Sequence, residues 1–134
     1  EGPFRLFEVG RVFLPQAGGL PIEQETLAGL LAGRRWEYSW LVDDEPLSFY
    51  DAKGILTAVL ARLGIEAQYQ TAEGAFFQPG RCATISAHGL LLGIVGEVHP
   101  MVRERFDLNT QTVSLLELNL SLVLQAMPQR AAAL

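Results

Sequence analysis

Phe4 to Leu14 is rich in apolar residues broken by single polar ones and reads as a strand, with a side-chain period of two. Phe4, Leu6, Glu8, Gly10 and Val12 fall on one side, and Arg5, Phe7, Val9, Arg11 and Phe13 on the other. Pro15 to Pro21 holds two glycines between two prolines, which is turn chemistry. Thr26 to Ala32 is a second apolar run, expected to pair with the first as a long hairpin. Gly29 and Gly33 weigh against reading that run as a helix. Arg34 to Glu45 is a polar stretch with two tryptophans and an acidic turn.

Ser48 to Leu63 carries the clearest helical pattern. Ala52, Ile55, Leu56, Val59, Leu60 and Leu63 form one apolar stripe. Ser48 followed by Asp51 predicts a capping box at its start, and Gly64 supplies the left-handed residue that ends helices. Ile65 to Tyr69 reads as a short strand and Gln70 to Gly80 as a loop. Arg81 to His88 alternates again, with Ala83, Ile85 and Ala87 on one side. After a turn at Gly89, Leu90 to Val98 is nearly all apolar, as in a central strand covered on both faces. Pro100 suits the first turn of a short helix reaching Phe106. Val113 to Leu120 is a further strand, followed by an apolar helix from Leu122 to Met127. About six strands joined mostly by short turns, with one strong helix and two short ones, predict an α+β fold. Its sheet is mostly antiparallel, with helices packed on it.

Composition narrows this picture. The chain has 134 residues, 49% of them hydrophobic and 19% charged, which suits a single domain with a true core. Residues 1–130 are read as that domain. The terminal Ala131-Ala132-Ala133-Leu134 is read as a vector-derived tail, and the start without Met as a piece of something longer. No apolar run is long enough for a membrane helix, and no signal peptide pattern is seen, so a cytoplasmic location and no membrane partner are expected. A net charge of −5 argues against a domain that holds nucleic acid by itself.

Candidate chemistry is sparse. His88, His99 and the lone Cys82 lack the close spacing of zinc ligands, and no glycine-rich phosphate cradle occurs. Glu8 and Glu97 are acids within apolar strands, and burial would demand a partner such as Arg11 or Arg81. Gly93 and Gly96 inside a strand imply close backbone approach. Asp51 and Lys53 near a helix start read as a cap and a solvated charge. Trp36, Tyr38 and Trp40, with Phe76 and Phe77, read as a core edge or partner surface.

The motifs taken in order add more. They run Phe7-Glu8-Val9-Gly10-Arg11-Val12-Phe13, Phe49-Tyr50-Asp51-Ala52-Lys53-Gly54 and Pro79-Gly80-Arg81-Cys82-Ala83. Next come Gly93-Ile94-Val95-Gly96-Glu97-Val98-His99-Pro100, Phe106-Asp107-Leu108 and Leu116-Glu117-Leu118-Asn119-Leu120. The series resembles the catalytic-like module of the β subunit of bacterial phenylalanyl-tRNA synthetase, from about Phe4 to Pro128.

That resemblance implies a class II synthetase fold and a parent heterotetramer of α and β subunits. The parent joins phenylalanine to its tRNA with ATP and magnesium. It implies an α subunit that carries the working site, and a degenerate β module that packs against it. Other β regions would contact tRNA. A catalytic copy needs a glycine-rich motif with an arginine for ATP, and Leu115 to Met127 contains neither residue type. No catalytic, cofactor-binding or metal-binding residue is therefore expected in this chain. The family-motif positions are expected to be structural: Glu8, Gly10, Arg11, Asp51, Lys53, Gly54, Pro79, Gly80, Arg81, Gly93, Gly96, Glu97, His99 and Pro100. The alternative is a small-molecule-binding or regulatory domain with a vestigial amino-acid or nucleotide pocket, lined by Asp51, Lys53, Glu97 and His99. Apolar surface left by missing partners would favour self-association of the isolated chain.

Overall fold

The computed structural model describes residues 4–33, 47–105 and 112–129. Trp36, Tyr38, Trp40, the Phe106-Asp107-Leu108 motif and the terminal alanines lie outside these residues. Nine elements follow in order: β1 (Phe4–Leu14), β2 (Ile22–Ala32), α1 (Phe49–Arg62), β3 (Gln68–Thr71), β4 (Phe77–Ala87), β5 (Leu90–Val98), α2 (Pro100–Arg105), β6 (Val113–Asn119) and α3 (Leu120–Ala126). The six strands form one sheet in the order β1-β2-β6-β5-β4-β3, and every neighbouring pair is antiparallel.

Side-chain parity divides the sheet into two faces. One face carries Leu31 and Leu27 of β2, Leu116 and Leu118 of β6, Val95 of β5, and Ala83 and Ile85 of β4. Their apolar side chains pack with Phe49, Ala52, Leu56 and Leu60 of α1 and with Val123 and Ala126 of α3. Fully buried members such as Leu60 and Ile85 each contribute about 2 kcal/mol of burial free energy. The opposite face holds a smaller cluster of Ala32, Val98 and Val113, packed by Leu30, Leu115 and Val102 of α2.

The α1 caps follow from sequence chemistry. The Asp51 amide donates to Ser48 Oγ, and the Ser48 amide donates to Asp51 Oδ2 at 2.8 Å, so each fills an orphan group of the first turn. At the other end Gly64 adopts φ +80°. The Ile65 amide donates to the Leu60 carbonyl and the Gly64 amide to the Ala61 carbonyl, a Schellman closure. Ile65 and Leu60 both lie in the core, which supplies the apolar contact that accompanies this motif.

Several element limits differ from the sequence expectation. Ile65 is spent on the helix cap, so β3 begins later, at Gln68. Strand β2 begins at Ile22 because residues 22–25 pair through their backbones with Arg11 to Leu14, although this end of the ribbon is mostly exposed and shows no apolar period. Strand β4 begins at Phe77 within the expected loop. Its register with β5 shifts between Phe77 and Cys82, where Pro79 has no amide to offer a ladder. Helix α3 starts at Leu120, because Asn119 Oδ1 accepts from the Leu122 amide and caps it there. Strand β5 is central, as expected, but it is not covered on both faces throughout, since Leu91 is 59% exposed.

Candidate functional site

The motif residues converge on structure at three places. The first is the buried end of β5. Glu97 is 6% exposed, and its Oε1 accepts from Arg81 Nη1 at 3.0 Å. The two sit on adjacent strands, and the Arg81 guanidinium also lies 5.9 Å from the Tyr50 ring of α1. Across the ladder, Glu97 faces Ser114 of β6, whose fully buried Oγ has no hydrogen-bond partner among the described residues. Burial without Arg81 would leave this carboxylate exposed to a low-dielectric interior, so the pair is needed for the strand to be buried there.

The second place is the glycine-rich stretch of β5. A Cβ on Gly93 would collide with the Glu117 carbonyl oxygen of β6. A Cβ on Gly96 would stand 2.5 Å from the Phe77 ring, which packs over that residue from the start of β4. These glycines serve close packing and leave no cradle for a phosphate. His99 follows, and its Nδ1 accepts from the Met101 amide as Pro100 opens α2.

The third place lies beside α1. Lys53 Nζ is 4.9 Å from the Tyr69 ring centroid and 5.5 Å from that of Phe49. A pocket of about 200 Å³ opens there, with Thr71, Gly80 and Cys82 also on its lining. Burial pushes the Cys82 thiol pKa up, and burial does the same to the Tyr69 phenol, partly offset by its hydrogen bond with Thr57. Gly54 is exposed and a Cβ there would meet nothing.

The remaining motif residues lie on the edge ribbon. Arg11 pairs with Glu23 at 2.8 Å and Glu25 at 3.9 Å, and not with Glu8. The reason is parity: Arg11 and Glu8 point to opposite sides of β1, while Glu25 is the cross-strand partner of Arg11. Glu8 and Gly10 stand opposite Ala28 and Thr26. Leu6, Phe7, Val9, Val12 and Phe13 are all exposed on this free edge. Sequence reasoning gave no sign of that exposure, because apolar residues fall on both sides of β1, as they do in a strand covered on both faces.

Of Asp51, Lys53, Glu97 and His99, only Lys53 lines the pocket beside α1 among the described residues. Asp51 is engaged by the Ser48 cap, Glu97 by Arg81, and His99 by its own helix start, which leaves Lys53 alone on the small pocket. A larger groove of about 400 Å³ lies where β2, β5 and β6 meet the start of α3. Gln24, Thr26, Glu117 and Asn119 supply its polar lining. It offers a carboxylate and no Lys or Arg, so its donor set does not fit a nucleotide triphosphate. Among the described residues no three of His, Cys, Asp and Glu cluster as metal ligands, and no helix is long and apolar enough to cross a membrane.

Fold and sites together define an α+β domain whose motif residues mostly pack, cap and pair with one another. Residues 2–120 match the model of the phenylalanyl-tRNA synthetase β chain CLM domain, and the chain belongs to that family. It is similar to the phenylalanine–tRNA ligase β subunit of Geobacter sulfurreducens, with 41% identity over 91% of this chain. The β subunits of Listeria innocua, at 37% over 93%, and of Thermosynechococcus vestitus, at 33% over 96%, are also similar. The chain spans 16% of the length of each of these relatives.

Proposed function

We propose that this chain is a noncatalytic module of the β subunit of a phenylalanine–tRNA ligase, with a degenerate class II synthetase fold. It packs on the α subunit catalytic module and supports ATP-dependent attachment of phenylalanine to tRNA in the cytoplasm. ATP and magnesium serve the parent complex and not this module, and tRNA contact belongs to other parts of the complex.

One observation carries the reading. By the resemblance, Leu115 to Met127 corresponds to the stretch where a catalytic copy presents an arginine to ATP. Here that stretch builds β6 and α3, and Leu116, Leu118, Val123 and Ala126 are spent on the core. The segment holds no cation and no glycine, so it has no group to stabilise a developing phosphate charge. The exposed apolar ribbon of β1 supports a chain meant to be covered in a larger assembly. Of the two arginines of β1, Arg11 is already held by Glu23 and Glu25. Phenylalanine-dependent exchange between ATP and pyrophosphate tests the catalytic part. The chain alone is expected to give the rate of a blank, and saturable exchange above blank would overturn the reading.

A further inference from the structure

Lys53 is the only lysine of a chain with fifteen acidic residues, yet among the described residues no carboxylate pairs with it. Its ammonium also donates no hydrogen bond to them. What surrounds it instead is the ring of Tyr69 at 4.9 Å and the ring of Phe49 at 5.5 Å. Aromatic faces hold an ammonium by their quadrupoles without using its three N–H donors. The charge is therefore placed but its donors are left over.

The surroundings are fixed before any ligand arrives. Phe49 is buried in the main core. The Tyr69 hydroxyl is hydrogen-bonded to Thr57 Oγ1 at 2.7 Å and donates to the Lys53 carbonyl at 3.2 Å, so the second ring is tied at its far end. The pocket opens beside the irregular stretch of β4, where Gly80 takes φ +80° and a Cβ would meet nothing within 4 Å. Thr71 adds a hydroxyl-bearing side chain to the lining. A volume of about 200 Å³ suits a compact polar group and is well below the usual size of a drug-sized ligand site.

We propose that this pocket binds a small oxyanion, the carboxylate or phosphate group of a low-molecular-weight ligand, with the Lys53 ammonium as its charge partner. The proposal does not rest on the subunit reading, since the pocket is made entirely by α1, β3 and β4 of this chain.

The test is amide-resolved NMR titration of the 15N-labelled chain with acetate and, separately, with inorganic phosphate, the ionic strength being held constant with chloride. Saturable shifts are expected at the amides of Lys53, Thr71, Gly80 and Cys82. Lys53→Met, checked for unchanged folding by circular dichroism, is expected to weaken binding about tenfold or more, as loss of a charge-assisted hydrogen bond requires. Lys53→Gln serves if the methionine variant misfolds. A response to acetate alone identifies a carboxylate site, and a response to phosphate alone a phosphate site. Absence of saturable shifts with both probes in the unaltered chain overturns the proposal. So does an undiminished response in the folded variant.

Discussion

Replacing Arg81 with methionine removes the charge that faces a carboxylate only 8% exposed at its side chain. The two groups are 3.0 Å apart, and at an effective dielectric of about 20 their attraction is roughly 5 kcal/mol. Most of that is offset by the cost of taking Glu97 out of water, so the pair as a unit adds little. Removing one partner is different, because the desolvation cost stays while the attraction goes. Breaking a buried pair typically costs about 3–5 kcal/mol. The Arg81 side chain is 43% exposed, and water at that side screens the pair, which sets the expected loss for Arg81→Met at about 2–3 kcal/mol. Urea denaturation followed by far-ultraviolet circular dichroism reads it as a lower midpoint with an unchanged slope. The double variant Arg81→Met with Glu97→Gln should recover more than half of the loss, since the stranded charge is gone. A single variant within about 0.5 kcal/mol of the parent, or a double variant no better than the single, would refute the argument.

Gly93→Ala forces a Cβ against the β6 backbone, which cannot rotate away, and should cost about 3 kcal/mol or prevent folding, read by thermal melting. Gly54→Ala, where nothing stands in the way, should instead raise stability by about 0.5–1 kcal/mol. Asp51→Ala breaks one arm of the capping box and should cost about 1 kcal/mol in the same assay, while Glu66→Ala on the exposed surface should cost nothing measurable. Because burial raises the Cys82 pKa, the folded chain holds its thiol proton to higher pH than the unfolded chain does. That contribution is whole below the ordinary thiol value of 9.0 and is lost as pH rises above it, so denaturation midpoints should fall on going to alkaline pH, and less steeply in Cys82→Ala.

Much of the fold could be read from local signals, because those signals act locally. Ser48 and Asp51 cap the helix they precede, and Gly64 ends it through its own backbone. Alternation in Arg81 to Ala87 placed Ala83, Ile85 and Ala87 correctly in the core. The cost of burying an acid pointed to an arginine partner, Arg11 or Arg81, and left the choice open; strand register decides it, setting Arg81 against Glu97 and Arg11 against Glu23 and Glu25. Ile22 to Glu25 joined β2 through backbone pairing with β1, and Phe77 to Gly80 extended β4 ahead of its register shift, and neither stretch has the apolar period that betrays a strand. The Lys53 pocket needed three elements brought together: α1, β3 and the irregular start of β4. No spacing along the chain encodes that meeting.

Light scattering after size exclusion reads whether these residues pack on a phenylalanyl-tRNA synthetase α subunit, as proposed above. The chain is run alone and then mixed with a bacterial α subunit. A one-to-one complex, with the mass of both partners in a single peak, is the predicted result. Two peaks at the separate masses, unchanged across a concentration series, would contradict the account.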